Sequence, residues 1–86
     1  MDPYNIVYYP LISEKTVGMM ERENKLVFIV SRRANKEEIK EAIENLYEVE
    51  IEKISVMIQP DGKKRAFVRL REEYLADEVA TKMGVF

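Results

Sequence analysis

A cluster of cations in the second half of the chain has the residue types and spacing of a phosphate-binding site. Lys63, Lys64 and Arg65 are consecutive and follow directly on Gly62. Arg69 lies four residues beyond them. Ammonium and guanidinium groups bind phosphate oxygens, and a turn glycine lets a backbone approach a ligand at little steric cost. This segment therefore predicts contact with the phosphate backbone of a nucleic acid.

A second basic group, Arg32, Arg33 and Lys36, lies where a strand is predicted to pass into a long helix. The whole chain has a net charge of −2, which as a total argues against a nucleic-acid partner. Totals mislead when charge is segregated, because phosphate responds to the local field. Residues 37–52 contain seven glutamates and one lysine, which gives a net charge of −6. Residues 59–71 contain five cations and one aspartate, which gives a net charge of +4. This pattern predicts an acidic helix and a basic edge, although an ordinary solvated surface explains the charges alone equally well.

The absent residue types exclude several kinds of chemistry. The chain has no cysteine and no histidine, which excludes disulfides, thiolate nucleophiles, Cys/His zinc sites and a histidine general base. Its carboxylates lack the loop spacing of a calcium or magnesium site, so we expect no metal and no cofactor. An acylphosphatase-type enzyme would need a glycine-rich phosphate loop with an arginine, and residues 10–13, Pro-Leu-Ile-Ser, contain neither. We therefore expect no enzymatic activity.

Hydropathy and the N-terminal sequence bear on location. The longest aliphatic and aromatic run, residues 26–30, is far shorter than the roughly 20 residues of a membrane span. Residues 1–3, Met-Asp-Pro, lack the basic and apolar regions of a signal peptide. We expect a cytoplasmic protein, and the length of 86 residues predicts one domain over residues 1–86.

Periodicity and capping residues predict the elements that position the cations. Asn35 and Glu38 form a capping-box pattern before a helix whose apolar residues recur at i, i+3, i+4 and i+7. Ser13 is the predicted N-cap of a shorter helix that ends near Asn24. The predicted order is β-α-β-α-β-β-α, with strands at residues 4–9, 26–30, 50–59 and 66–70 and helices at 13–23, 36–48 and 75–83.

This order predicts an α+β fold, a small two-layer sandwich with its helices packed on a four-stranded sheet. Residues 26–30 are apolar on both sides, which indicates a central strand. The turn sequence at residues 60–62 joins the last two strands in a hairpin. We expect the fourth strand to lie between the second and third, which gives an antiparallel-type mixed sheet in which the second and third strands run in the same direction.

Three aromatic residues are candidates for stacking on bases. The sequence around Phe67 faintly resembles the strand motif with which RNA-recognition modules stack bases, but the first aromatic of that motif would fall at Arg65. We therefore expect Phe67 to pack in the core. Tyr8 and Tyr9 are adjacent on a predicted strand and point to opposite faces, so at most one is buried. The other is free to stack on a base or to meet a neighbouring protein.

Several segments, taken in order, resemble the ribosomal protein L23 family. Residues 10–15, PLISEK, are similar to its Pro-x-[Ile/Val]-[Ser/Thr]-Glu-Lys opening. Residues 28–49 resemble its central block, and residues 61–70, DGKKRAFVRL, resemble its hairpin return. The tail ADEVATKMG, residues 76–84, is similar to the archaeal and eukaryotic ending. The resemblance covers essentially the whole chain.

The resemblance implies a structural protein of the large ribosomal subunit that binds 23S rRNA beside the polypeptide exit tunnel. It also implies contacts with ribosomal protein L29 and with the signal recognition particle, or with trigger factor in bacteria. In bacterial members the Glu of the Ser-Glu-Lys motif contacts trigger factor, and that position is Glu14 here. The long bacterial hairpin and the basic eukaryotic N-terminal extension are both missing, so the resemblance implies an archaeal form.

Two readings thus follow, an RNA-binding ribosomal subunit and a protein-interaction module that docks through the acidic helix at residues 37–48. The first predicts saturable, salt-sensitive binding to large-subunit RNA, and the second predicts none. For the first, the candidate phosphate ligands are Lys15, Arg32, Arg33, Lys36, Lys63, Lys64, Arg65 and Arg69.

Overall fold

Local signals set the ends of the helices in the structure, a computed structural model that describes the backbone of residues 3–84 and the side chains of residues 5–84. Ser13 and Asn35 are N-caps with reciprocal capping-box hydrogen bonds, to Thr16 and Glu38 respectively. The sequence predicted both N-caps and the partner residue Glu38, but it did not predict the part played by Thr16. The elements are α1 (Pro3–Ile6), β1 (Val7–Pro10), α2 (Glu14–Glu23), β2 (Lys25–Val30), α3 (Lys36–Tyr47), β3 (Ile51–Ile58), β4 (Lys64–Leu70) and α4 (Ala76–Lys82).

The first strand is shorter than predicted. Residues 3–6 form the helical turn α1, and β1 begins only at Val7, which pairs with Val30. Because β2 ends at Val30, a strand that began earlier would have no partner. Pro10 is the last residue of β1, which an edge strand tolerates because the missing N–H need not join the ladder.

The sheet has the predicted order. Its strands run β1-β2-β4-β3, every neighbouring pair is antiparallel, and β2 and β3 therefore run in the same direction on either side of β4. This confirms the predicted position of the fourth strand. It also makes β2 a central strand, as its apolar character on both sides indicated.

The helices cover one face of the sheet. Leu26, Phe28 and Val30 of β2 are fully buried in the core together with alternate residues of β4, and the Phe28 ring stacks on Tyr47 of α3 with centroids 5.6 Å apart. Full burial of a side chain of this size contributes on the order of 1.5–3 kcal/mol to the free energy of unfolding. Ile39 and Ile43 of α3 complete this layer. The result is the two-layer α+β sandwich that the element order predicted.

The expectation that Phe67 packs in the core is wrong. Its strand neighbours Ala66 and Val68 are fully buried against the helices, and side chains alternate along a strand, so Phe67 points to the opposite face. There it pairs in register with Val27 and is only partly buried. Sequence alone did not fix which set of alternate residues in β4 would face the helices.

Asn24 joins three segments of the chain. It ends α2 in the left-handed conformation, with φ 55°, which asparagine tolerates better than most residues. Its side-chain amide donates to the carbonyl oxygen of Tyr74 at 2.8 Å, and its side-chain oxygen accepts from the backbone N–H of Ala76 at 2.8 Å. Its backbone oxygen accepts from the N–H of Leu70 at 3.1 Å. Asn24 thereby fixes the start of α4 relative to α2 and β4.

Candidate nucleic-acid interface

An open cleft at one end of the sheet brings together four of the eight candidate phosphate ligands. The end of β2, its following turn and the β3–β4 turn line a space of about 930 Å³. Tyr8 and Tyr9 on β1 form another part of its wall and are 56% and 42% exposed. Neither tyrosine is therefore buried. The cations that line this cleft are Arg32, Arg33, Lys63 and Lys64.

The β3–β4 turn shapes the floor of the cleft. The backbone N–H of Gly62 donates to the carbonyl oxygen of Gln59 at 2.9 Å, and Gly62 has φ +90°, a conformation that L side chains rarely adopt. A Cβ at Gly62 would lie 3.6 Å from a guanidinium nitrogen of Arg32. The glycine therefore lets the turn approach Arg32.

Lys63 and Arg32 are exposed at the cleft. The Lys63 ammonium donates to the Tyr9 hydroxyl at 3.3 Å. The cleft's one carboxylate, Asp61, accepts from the backbone N–H of Lys63 at 3.0 Å and so caps the turn. The cleft thus combines several cations with two exposed phenol rings, groups that suit phosphates and bases respectively.

The three consecutive cations do not share one surface. Lys64 is partly buried on the helix side, where its ammonium donates to the carbonyl oxygen of Ala34 at 2.5 Å. This hydrogen bond holds the connection between β2 and α3 against β4, beside the cleft. Arg65 lies on the opposite face of the sheet, and Lys63 is exposed at the turn, where it contacts the Tyr9 hydroxyl. Side-chain alternation along β4 separates the three groups.

Arg65 is held in place by two neighbours. With the Gln59 amide oriented so that its oxygen faces the guanidinium, as the surrounding donors and acceptors require, that oxygen accepts from Nε of Arg65 at 2.8 Å and from Nη2. The guanidinium carbon lies 6.0 Å from the centre of the Phe67 ring, within the range of a cation–π contact.

Arg69 belongs to a row of cations at the other end of the same sheet face. Its register partners are Lys25 on β2 and Lys53 on β3. The two lysines were absent from the sequence-based candidates. The alternation of Lys53 with inward Ile54 was visible in the sequence, but only the pairing of three strands brings the three cations together.

The two remaining candidates are separate from both groups. Lys15 is exposed in the first turn of α2, and Lys36 is the first residue of α3. Both therefore belong to the helical layer and not to the uncovered sheet face. Glu14, the candidate docking residue, is also exposed at the start of α2.

The candidate cations are not neutralised by carboxylates. Among the described side chains, the one ion pair within 4 Å joins Lys25 and Glu23 at 3.1 Å, and Lys25 was not a candidate. Lys64 and Arg65 already contact Ala34 and Gln59, so the candidates available to an external anion are the exposed ones, among them Arg32, Arg33 and Lys63. This arrangement favours the functional reading of the charge pattern over the ordinary solvated surface.

Carboxylates dominate the opposite end of the molecule. A shallow depression between α2, the β3–β4 pair and the start of α4 is lined by Glu21, Glu23, Glu52, Glu72 and Asp77, with Arg22 and Arg69. Nearby, the Tyr74 hydroxyl donates to Glu50 at 3.3 Å. The pKa of Tyr74 is raised, first by partial burial and second by the negative charge of Glu50.

No group of three or more metal-ligating side chains occurs in the part of the chain that the structure describes.

The geometry defines a small α+β protein with a cation-lined cleft, and the comparisons with known proteins assign it to a family. The family model for ribosomal protein L23 matches residues 5–82. Proteins named large ribosomal subunit protein uL23 from Methanococcus aeolicus and Methanococcus vannielii are 42% and 44% identical, with 100% of both chains covered in each case. The chain therefore belongs to the ribosomal protein L23 family.

Membership confirms several predictions. The chain is a protein of the large ribosomal subunit, part of the cytoplasmic ribosome, and it belongs to a family of structural proteins without enzymatic activity. The similar proteins are archaeal, as the tail sequence indicated. None of the helices in residues 3–84 has the length and hydropathy of a membrane span.

Proposed function

We propose that this protein binds 23S rRNA beside the polypeptide exit tunnel, with the cleft as its main phosphate-binding site. The observation that carries the proposal is the convergence of Arg32, Arg33 and Lys63 around one cleft without paired carboxylate side chains. Because rRNA presents a dense row of phosphates, a local group of cations binds it even when the whole chain has a net charge of −2.

The direct test is the salt dependence of binding. The full-length protein is expected to bind large-subunit rRNA fragments saturably in a filter assay, with affinity that falls steeply as salt increases because counterions are released from the RNA. A log–log slope of about −3 to −5 corresponds to roughly five neutralised phosphates. A protein-interaction module would instead give no saturable, salt-sensitive complex, and that result would contradict the proposal.

The helical layer suits the protein partners that the family resemblance implies, ribosomal protein L29 and the signal recognition particle. Glu14 is exposed at the first position of α2, and Glu37 and Glu41 of α3 and its C-cap Glu48 are also exposed. These carboxylates do not line the cleft, so a protein could dock there while rRNA occupies the cleft. The β3–β4 connection comprises only residues 59–63 and does not form a long hairpin that could extend into the tunnel.

Replacing Glu14 by alanine is expected to weaken binding of the signal recognition particle to ribosomes several-fold, because an exposed charge at an interface rim contributes modestly. The measurement is an equilibrium binding titration with ribosomes that carry the variant. Glu21→Ala is the matched control, since Glu21 is an exposed glutamate on the same helix. Unchanged affinity for Glu14→Ala would leave Glu14 as a helix-start residue with no docking role.

A further inference from the structure

The sheet face opposite the helices is uncovered in the described structure and has an ordered surface. Strand register places its side chains in rows that cross the sheet. The first row, nearest the cleft, runs from Tyr9 through Ile29 and Arg65 to Met57. The second row contains Val27, Phe67 and Ser55, and the third is the cation row Lys25, Arg69 and Lys53.

The charge of this face has one sign. The three rows contain four cations and no carboxylate, although the chain as a whole has a net charge of −2. Glu23, which pairs with Lys25, lies in α2 and outside the rows. The third row borders carboxylates, because Arg69 also lines the depression that contains Glu23 and Glu52. The positive charge is least opposed beside the cleft, whose lining includes one carboxylate, Asp61, and a polyanion is favoured there.

Between its cations the face is apolar and aromatic. Its β2 residues Val27 and Ile29 are only 2% and 3% exposed, so a ligand would contact the edge residues and Phe67. Tyr9 and Met57, at opposite edges of the first row, are 42% and 47% exposed.

In the second row the Phe67 ring is partly exposed, with the guanidinium of Arg65 over it, and the Gln59 amide fixes that guanidinium in place. A planar guanidinium above an aromatic ring is a surface on which nucleotide bases stack.

We propose that an unpaired segment of RNA lies across this face, with one or more bases stacked on Phe67 and Arg65. The cleft cations and the third row then bind the phosphates on either side. This inference rests on the proposed function and specifies the form of RNA that the site accepts. From Arg65 to Arg69 the strand spans roughly 13 Å, at about 3.3 Å per residue, which suits two or three stacked bases.

A paired helix fits this face less well. Duplex RNA turns its bases inward and offers phosphates and ribose hydroxyls to a protein, so Phe67, Tyr9 and Met57 would have no base to contact. An unpaired strand offers both the aromatic faces of its bases and its phosphates. The alternation of cations with an aromatic centre therefore favours the unpaired strand as the occupant.

The test compares one RNA strand in single and paired form. Phe67→Leu is expected to weaken binding of a short oligoadenylate to the full-length protein by about tenfold, since stacking contributes on the order of 1–3 kcal/mol per base. Binding of the oligoadenylate–oligouridylate duplex is expected to stay unchanged. The salt slope is also expected to stay unchanged, because no phosphate contact is removed. Phe67→Trp, which retains a ring, is the matched control and should bind oligoadenylate as the wild type does.

Equal affinity of Phe67→Leu and the wild type for oligoadenylate would overturn the stacking proposal, and so would an equal loss on the duplex. Because Phe67 is partly buried, a second measurement on the wild type guards against a folding defect. An oligouridylate that contains 5-iodouridine should photo-cross-link to Phe67 or Tyr9, and cross-links confined to other elements would overturn the proposal.

If the wild type binds large-subunit rRNA fragments but not oligoadenylate, this inference fails and the proposed function stands. If it binds neither, both fail.

Discussion

Replacing Arg32, Arg33 and Lys63 together by alanine is expected to lower the affinity for large-subunit rRNA fragments about a hundredfold at roughly 0.15 M salt. Three phosphate contacts release nearly three counterions, and at this salt concentration their loss gives an effect of that size. The log–log salt slope should become less steep by about 2 to 3. Filter binding over a series of salt concentrations measures both quantities. Because these side chains are exposed and form no ion pair, we expect the thermal transition to be unchanged.

The control for this variant removes three cations outside the cleft. Lys40, Arg71 and Lys82 are exposed, and their replacement changes the net charge from −2 to −5, as the cleft variant does. If binding depends on cations at the cleft, the control variant should retain nearly all of its affinity for the rRNA fragments. An equal loss in both variants would mean that total charge governs binding, and the cleft would then have no particular role.

The second large effect is on stability. Asn24→Ala is expected to lower the free energy of unfolding by about 2–4 kcal/mol. The change deprives the Tyr74 carbonyl oxygen and the Ala76 N–H of their partner, and unsatisfied groups of this kind cost about 1–3 kcal/mol. It also places alanine at φ 55°, which adds about 1–2 kcal/mol. Chemical denaturation monitored by circular dichroism measures the change.

Two further variants separate the causes. Asn24→Gly removes the side-chain hydrogen bonds but accepts the left-handed backbone, so it should be destabilised less than Asn24→Ala. Asn45→Ala, at an exposed position in α3, should change the free energy of unfolding by no more than about 0.5 kcal/mol. A loss for Asn24→Ala as small as that for Asn45→Ala would show that the bridge between α2, β4 and α4 contributes little.

Features encoded within a few residues were predicted correctly. The N-cap Ser13, the capping box of Asn35 and Glu38 and the apolar stripe of α3 each depend on residues within two turns of one another, so the sequence alone indicated them. The acidic helix and the basic turn were equally visible, because charge runs need no knowledge of the fold. The family resemblance also depended only on motifs in order, and the matching family model confirmed it.

Errors arose where two distant segments had to be aligned. The first strand was predicted from residue 4, but its start depends on where β2 ends, more than twenty residues away. Phe67 was assigned to the core because the sequence could not say which alternate residues of β4 would face the helices. A change of one residue in register reverses every side chain of a strand, so this choice is made by the packing of the whole core.

The sequence by itself determined the charge content, the helix ends, the hairpin turn and the membership of the ribosomal protein L23 family. Only the tertiary structure decided how Lys63, Lys64 and Arg65 divide among the turn, the helix side and the uncovered face, and how Lys25, Lys53 and Arg69 form one row. The physical reason is that surface chemistry across a sheet depends on strand order and register. Both are set by the burial of side chains far apart in the chain, such as Leu26 and Val68, and no local pattern records that pairing.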